Sequence, residues 1–226
     1  MNIIRKYISL ACILMGGLLI ATPSYAGASD FTGLYIQVNG TVAGAELSGN
    51  YKVNDGLHTE GTAGKVFPLA GGEVGFNLGI GENFILAVGA SVDPTGQQIS
   101  EADDAFDEAD VKLTLSDLET LYVAPGFSFH ENAAVYVKWG DVDGDINCTA
   151  GNTCPSSLSG DLYAIGTTIK GASGLYMKTE AGVIDFGQLS ITDMGGGGDS
   201  GSNGGNGSLS ADPNMAYGKF SVGYNF

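Results

Sequence analysis

The sequence predicts an all-β fold, an eight-stranded antiparallel up-and-down transmembrane β-barrel. From Phe31 to Phe226, apolar and polar residues alternate in short segments, which is typical of strands with two different faces. Short and long connections alternate between these segments, as an up-and-down barrel with both ends on one side requires. No apolar run after residue 26 approaches the ~20 residues that a membrane-spanning helix needs.

The N-terminus has the pattern of a cleaved export signal. The basic pair Arg5-Lys6 precedes the apolar run 8–20, and Ser24-Tyr25-Ala26 places small residues at the cleavage point. The run is shorter than a membrane anchor of ~20 residues. We therefore expect residues 1–26 to be removed and residues 27–226 to form a single domain.

The charge of the remaining chain excludes several classes of partner. Residues 27–226 keep all 25 acidic residues but only seven lysines and no arginine, a net charge of −18. Nucleic-acid and phosphate-binding proteins carry basic patches, so we expect no nucleic-acid partner.

Eight segments alternate with period two. Their apolar faces carry Leu, Ile, Val and Phe, and their other faces carry mainly Gly, Ala, Ser, Thr and Asn. The segments are 34–42, 73–80, 84–91, 120–129, 135–140, 163–170, 175–183 and 219–226.

The connections fall into two classes. Three are tight turns rich in residues that tolerate positive φ, at 81–83, 130–132 and 171–174. Four are long and polar, near 48–66, 93–110, 143–158 and 187–215. The second long connection contains the acidic run 101–110, which we interpret as a solvated loop with weak affinity for divalent cations.

Alternation alone does not say which face points outward, since a soluble lipocalin-like barrel would put the apolar face inside. The small polar side chains suit a narrow lumen better than a soluble surface. Aromatic residues of the apolar face also collect at strand ends, with Phe84, Phe129 and Phe226 beside the short turns and Trp139 towards the loops. Such girdles mark membrane interfaces, so we expect the apolar face to point outward.

A luminal charge network is the principal candidate site. Glu73, Lys138, Lys178, Glu180 and Lys219 lie on the polar faces of their strands. An eight-stranded barrel has an interior just wide enough for side chains, and unpaired charges there are costly. We therefore expect these five residues to pair, filling the lumen more than lining a channel.

The C-terminus ends in a recognisable pattern. Phe220, Val222, Tyr224 and Phe226 put an apolar or aromatic residue at every second position up to a carboxy-terminal Phe. This resembles the signal read by the machinery that inserts barrels into the bacterial outer membrane, which is therefore an expected partner.

The mature chain as a whole resembles the small outer-membrane barrel superfamily of the OmpA transmembrane domain, OmpX and the opacity-type surface antigens. The resemblance rests on architecture and implies an outer-membrane location with periplasmic termini, extracellular long loops, and outer-membrane lipids and lipopolysaccharide as partners. We expect no peptidoglycan-binding domain after the barrel and therefore no wall-tethering role.

Two acidic and cysteine-containing patterns lie near the third long connection. Cys148 and Cys154 have no neighbouring metal ligands and, in an exported protein, are expected to form a disulfide. Asp141, Asp143 and Asp145 put carboxylates at alternate positions, as in a calcium-binding loop. The segment lacks the sixth-position glycine and the bidentate glutamate of such a loop, so the three aspartates are only weak metal candidates.

Nothing in the pattern predicts catalysis, and we expect neither enzyme activity nor a cofactor. His130 falls in a turn, and His58 falls in the first long connection without a serine in a nucleophile-elbow setting. The sequence favours a non-enzymatic surface barrel for envelope structure, with adhesion or recognition through acidic loops. A narrow passive porin is the alternative, and a lipid-modifying enzyme that uses His58 is the third.

Overall fold

The computed structural model describes residues 27–52, 58–99, 113–148, 154–171, 173–195 and 206–226. The expected signal peptide and the acidic run 101–110 lie outside these residues. No helix in the described part of the chain is long and apolar enough to cross a membrane.

The described residues form one antiparallel sheet that closes on itself. A 3₁₀ turn at Ala28–Phe31 precedes the strands. The strands are β1 (Gly33–Lys52), β2 (His58–Ile80), β3 (Phe84–Asp93), β4 (Gln97–Gln98), β5 (Leu113–His130), β6 (Ala133–Cys148), β7 (Ser157–Lys170), β8 (Leu175–Phe186), β9 (Leu189–Gly195) and β10 (Asn206–Asn225).

Neighbouring strands in the chain are neighbours in the sheet, and β1 pairs with β10 to close the barrel. The short β4 pairs with β5 as β3 does, and the short β9 pairs with β10 as β8 does. β4 and β9 therefore continue the paths of β3 and β8 along the sheet, so the barrel wall consists of eight strands. The predicted eight-stranded antiparallel up-and-down barrel is confirmed.

The short turns gather at one end of the barrel, which we call the turn end; the opposite end is the loop end. Gly81 and Gly174 adopt positive φ, +66° and +85°, which explains a glycine at each position. Between β5 and β6 the turn is reduced to Glu131 and Asn132.

The strands reach further towards the loop end than the alternating segments predicted. β1 continues to Lys52 and β2 begins at His58, so most of the connection predicted near 48–66 is paired strand. β6 likewise runs to Cys148, and β10 begins at Asn206, inside the connections predicted near 143–158 and 187–215.

In the part of the wall next to the turn end, the apolar face points outward. Ile36 is 55% exposed and Leu121 67% exposed, while the intervening polar residues of the same strands, such as Gln37 and Thr120, are buried. This orientation excludes the soluble lipocalin-like arrangement and produces a continuous exposed apolar belt.

Towards the loop end the two faces exchange their chemistry. Leu47, Phe67 and Ile184 point inward and belong to a large apolar core that fills the barrel there. The outward positions become acidic, as at Glu46 and Asp185, which are exposed. The strands therefore continue from apolar into polar surroundings without losing their pairing. Because of this reversal, the sequence pattern predicted loops where the structure has strands.

The reversal is sharp on the flank formed by β6, β7 and β8. Asp141, Asp161 and Asp185 are direct cross-strand neighbours. Two residues nearer the turn end, Trp139, Tyr163 and Val183 are also direct neighbours and form the last outward apolar row. An aromatic and apolar row directly followed by an acidic one is typical of a membrane interface.

The turn end is closed by the N-terminal 3₁₀ turn. Ala28 and Phe31 are buried in a small apolar cluster with Ile85 and Ala134. The backbone N–H of Ala28 donates to the carbonyl oxygen of Glu82 at 2.7 Å, which ties the segment to the turn between β2 and β3.

Candidate functional site: the luminal charge cluster

Four of the five predicted luminal charges meet in the middle of the barrel. Strand alternation turns Glu73 of β2, Lys138 of β6, and Lys178 and Glu180 of β8 inward, and all four are buried. We call these four residues the charge cluster. They come from three strands that are far apart in the chain, so closure of the barrel is what brings them together.

The charges of the cluster are paired directly. The Nζ of Lys138 lies 2.6 Å from Oε2 of Glu180 and 3.3 Å from Oε2 of Glu73. The Nζ of Lys178 lies 3.5 Å from Oε1 of Glu73. An unpaired charge buried in the protein costs several kcal/mol. The direct pairing of these four charges offsets that cost.

Lys219, the fifth predicted member, has a different partner. Its Nζ lies 3.8 Å from Oδ2 of Asp93, the last residue of β3. The alternating pattern predicts Asp93 at the start of a loop, so this partner was not expected. The signal was present, since Asp93 continues the inward series of Ala87, Gly89 and Ser91 at two-residue spacing.

Tyrosine hydroxyls complete the hydrogen bonding of the two glutamates. Tyr122 donates to Oε1 of Glu73 at 2.6 Å. Tyr136 donates to Oε2 of Glu180 at 2.8 Å, and Tyr217 donates to its Oε1 at 2.8 Å. The remaining acceptor sites of both carboxylates are therefore largely used inside the protein.

The tyrosine rings also face the ammonium groups. The Nζ of Lys178 lies 4.0 Å from the centroid of the Tyr35 ring, and the Nζ of Lys138 lies 4.2 Å from that of Tyr122. The hydroxyls of Tyr35 and Tyr122 are hydrogen-bonded to each other. Cation–π contacts of desolvated ammonium groups contribute about 2 kcal/mol or more.

Five tyrosines among the described residues point into the lumen, and each packs on a glycine of the adjacent strand. A Cβ added at any of the five glycines would strike the tyrosine ring. The cross-strand pairs are Tyr35 with Gly75, Tyr122 with Gly89, Tyr136 with Gly166, Tyr176 with Gly223, and Tyr217 with Gly182. These five glycines therefore make room for the tyrosine rings, which occupy the middle of the lumen.

A small cavity separates the charge cluster from the N-terminal turn. It has a volume of about 40 Å³ and is lined by Phe31, Ile85 and Tyr136 together with the two lysines of the cluster. A space of this size holds on the order of three water molecules.

The weak calcium candidates do not form a loop. Asp141, Asp143 and Asp145 lie on the exposed outer face of β6, and Asp143 accepts a hydrogen bond from Ser159 at 2.6 Å. An extended strand spreads same-side residues ~6.6 Å apart, whereas a calcium loop curls its ligands around the ion. Within the described residues, no group of three or more His, Cys, Asp or Glu side chains could hold a metal ion.

The predicted disulfide is confirmed. Cys148, at the end of β6, is bonded to Cys154, and their Cα atoms are 6.5 Å apart. The bond closes the hairpin between β6 and β7 at the loop end.

The remaining candidates lie away from the charge cluster. His130 is exposed at the turn end, and His58 begins β2 at the loop end. The alternate residues of the C-terminal pattern are exposed on the outer face of the closing strand, namely Phe220, Val222, Tyr224 and Phe226. Their role as an assembly signal stays a prediction.

Known proteins resemble this chain in fold. No family model and no curated protein matches the sequence. The outer-membrane protein OprG of Pseudomonas aeruginosa is 13% identical, with 89% of this chain and 98% of that chain covered and a TM-score of 0.50.

Two further solved structures have lower scores. The attachment invasion locus protein Ail of Yersinia pestis is 9% identical, with coverage of 83% and 98% and a TM-score of 0.40. The outer-membrane protease OmpT of Escherichia coli is 8% identical, with coverage of 86% and 97% and a TM-score of 0.40. At such identities the likeness concerns the fold alone, which is that of a bacterial outer-membrane β-barrel.

Proposed function

We propose that this protein is a closed, non-enzymatic surface barrel of the outer membrane, with its turn end in the periplasm and its loop end outside. The observation that supports this most is that side chains fill the lumen at successive levels. Phe31 occupies the turn end, the charge cluster and its tyrosines occupy the middle, and the apolar core occupies the loop end.

A path for ions would have to cross an apolar segment after a polar one. The loop-end core contains Leu115, Ile146 and Met215, all buried, which offer no hydrogen bonds to a solute. Transfer of an ion into such surroundings is strongly unfavourable. Closure therefore depends on two unlike barriers in series.

The loop end is the part that would meet other molecules. Paired strands carry acidic side chains such as Glu46 and Asp161 beyond the apolar belt, so the outer surface is a rigid extension of the barrel. A rigid surface loses little conformational entropy on binding, which favours recognition or adhesion. Divalent cations bridging these acids to lipopolysaccharide phosphates are the partners we expect at this level.

Single-channel recording in planar bilayers tests the proposal. Refolded protein that shows the gel-mobility shift of a folded barrel on heating should give no steady channels. A double variant, Phe31→Ala with Leu115→Ser, serves as a comparison, because it removes side-chain volume from the turn end and from the loop-end core and should raise the frequency of opening. Steady channels in the native protein would contradict the proposal.

A narrow passive pore is the second candidate, and the polar mid-lumen with its cavity is the observation that favours it. If the native protein conducts, Lys138→Ala and Glu180→Ala should change conductance and ion preference, since both side chains belong to the charge cluster in the middle of the lumen. The enzyme alternative predicts an altered lipid A or phospholipid profile in a His58→Ala variant, and an unchanged profile would dispose of it.

A further inference from the structure

A second group of polar side chains lies between the charge cluster and the apolar core. Asn39 and Thr41 of β1, Asp93 of β3 and Lys219 of β10 all point into the lumen and are buried. We call these four residues the polar ring. Asn39 and Asp93 lie one inward position nearer the loop end than the cross-strand neighbours Gln37, Glu73 and Ser91, and Thr41 lies one inward position beyond Asn39.

Backbone register shows that the members of the polar ring are adjacent. Thr41 is the direct cross-strand neighbour of Lys219. Asn39 is the direct neighbour of Gly71. A Cβ at Gly71 would strike the carboxylate of Asp93, so this side chain lies over the glycine and beside Asn39.

Several polar atoms of the ring lack a hydrogen-bond partner among the described residues. They are both amide atoms of Asn39, Oγ1 of Thr41 and Oδ1 of Asp93. These residues are only 7%, 4% and 6% exposed, respectively. The Lys219–Asp93 distance of 3.8 Å is also longer than a direct hydrogen bond.

Such a concentration of unpartnered atoms requires a ligand. Buried polar groups in native proteins are nearly always hydrogen-bonded, and ordered water supplies the partner where protein does not. A polar contact longer than about 3.5 Å is also the usual sign of a bridging water.

We propose that the polar ring binds ordered water molecules that bridge Lys219, Asp93, Asn39 and Thr41. The chemistry of the ring selects this ligand. The unpartnered set contains an amide donor as well as carboxylate, amide and hydroxyl oxygens, and water serves donors and acceptors alike. An anion would be repelled by Asp93 and a cation by Lys219, and the two charges balance.

Apolar side chains border the polar ring on the loop side. Leu69 is the direct cross-strand neighbour of Thr41, and Ala43 is the next inward residue of β1. Both belong to the apolar core. This inference does not depend on the barrel being closed, because a conducting lumen would also contain the ring.

Nuclear magnetic resonance of the native protein in detergent micelles tests the water directly. Selective ¹⁵N labelling of asparagine, with the Asn39→Ser variant used to assign the signal, isolates the Asn39 side-chain amide. Its protons should show dipolar cross-peaks to water with the sign of a long-lived bound molecule. Cross-peaks only to protein protons would mean that the ring satisfies itself, and would overturn the proposal.

A pair of substitutions tests the same site by stability. Thr41→Val keeps the shape but removes the hydroxyl, whereas Thr41→Ser keeps the hydroxyl. If water holds the hydroxyl, Thr41→Val should raise the unfolding equilibrium constant on the order of tenfold, because the bridge loses a partner. The serine variant should retain the water cross-peaks at Asn39, and the valine variant should weaken them.

The opposite outcome has a definite meaning. A truly unpartnered hydroxyl is destabilising where it is, so Thr41→Val would then be as stable as the native protein or more stable. Because the resonance measurement uses the native protein, a valine variant that fails to fold leaves that measurement to decide.

Discussion

Replacing Lys138 with methionine should destabilise the barrel by about 3–5 kcal/mol, the cost of breaking a buried ion pair by removing one partner. Methionine has nearly the length of lysine and fills the same space, so the change removes the charge with little loss of volume. The Nζ of Lys138 pairs with both carboxylates of the cluster, at 2.6 Å from Glu180 and 3.3 Å from Glu73.

The upper part of this range is expected because two carboxylates lose their shared cation at once. Lys178 stays near Glu73 at 3.5 Å, but Glu180 loses its direct ion pair with Lys138 and keeps its two tyrosine hydrogen bonds. Adding Glu180→Gln to Lys138→Met removes the uncompensated charge, and the glutamine oxygen still accepts a hydrogen bond from a tyrosine. The double variant should therefore recover more than half of the loss.

Urea unfolding from detergent micelles or lipid vesicles measures both effects. Trp139 is the single tryptophan of the chain and lies on the outer face beside Lys138, so its fluorescence follows loss of the barrel. If the free energy of unfolding of Lys138→Met is within about 1 kcal/mol of that of the native protein, the reasoning is refuted, because the ion pairs of Lys138 would then contribute no more than exposed salt bridges. A double variant as unstable as the single one would show that the loss came from packing and not from charge.

Three further predictions concern packing, the loop end and assembly. Gly166→Ala should lower the free energy of unfolding by about 1–3 kcal/mol in the same assay, since a Cβ there strikes a tyrosine ring. Gly218→Ala is the control, because its Cβ meets nothing within 4 Å, and it should stay within about 1 kcal/mol of the native protein. Equal effects of the two substitutions would contradict the packing of tyrosine rings on glycines. Cys148→Ser should cost about 2 kcal/mol by releasing a short covalent loop, and denatured native protein should expose titratable thiols only after reduction; free thiols without reductant would argue against the bond. Phe226→Ser should lower the amount of barrel assembled in cells but leave refolding into detergent unchanged, and equal losses in both would assign the residue to stability instead of recognition.

Strand alternation predicted the fold because it follows directly from backbone geometry. Successive side chains of a strand point to opposite faces, so Glu73 and Lys138 had to share the inside once Phe76 and Val137 were assigned to the outside. The count of connections then gave eight strands. Neither step needs any knowledge of which strand faces which across the lumen.

The partners inside the lumen depend on that missing knowledge. Strand tilt and stagger decide which inward residues meet across a barrel, and they are set by the closure of the sheet and not by any local pattern. The direct ion-pair partner of Lys219, Asp93, was therefore not predicted. Tyr122 and Tyr217 were on the correct face but were not recognised as donors to the glutamates.

The long connections were predicted too long for a different reason. The sequence pattern predicts that each strand ends where its apolar-outward alternation ends. In the structure, the alternation persists with the faces exchanged, so that Leu47 is buried and Glu46 is exposed. A change of surroundings was taken for a change of secondary structure.

The adjoining apolar and acidic rows on β6, β7 and β8 bear on hydrophobic mismatch. Sinking this flank by two residues would bring Asp141, Asp161 and Asp185 into hydrocarbon, at about 2–3 kcal/mol for each carboxylate near mid-depth and less near the interface. Raising it would expose the row of Trp139 to water. Tilting or shifting the barrel on this side is therefore energetically unfavourable. A bilayer of a different thickness must instead compress or stretch its acyl chains next to these strands.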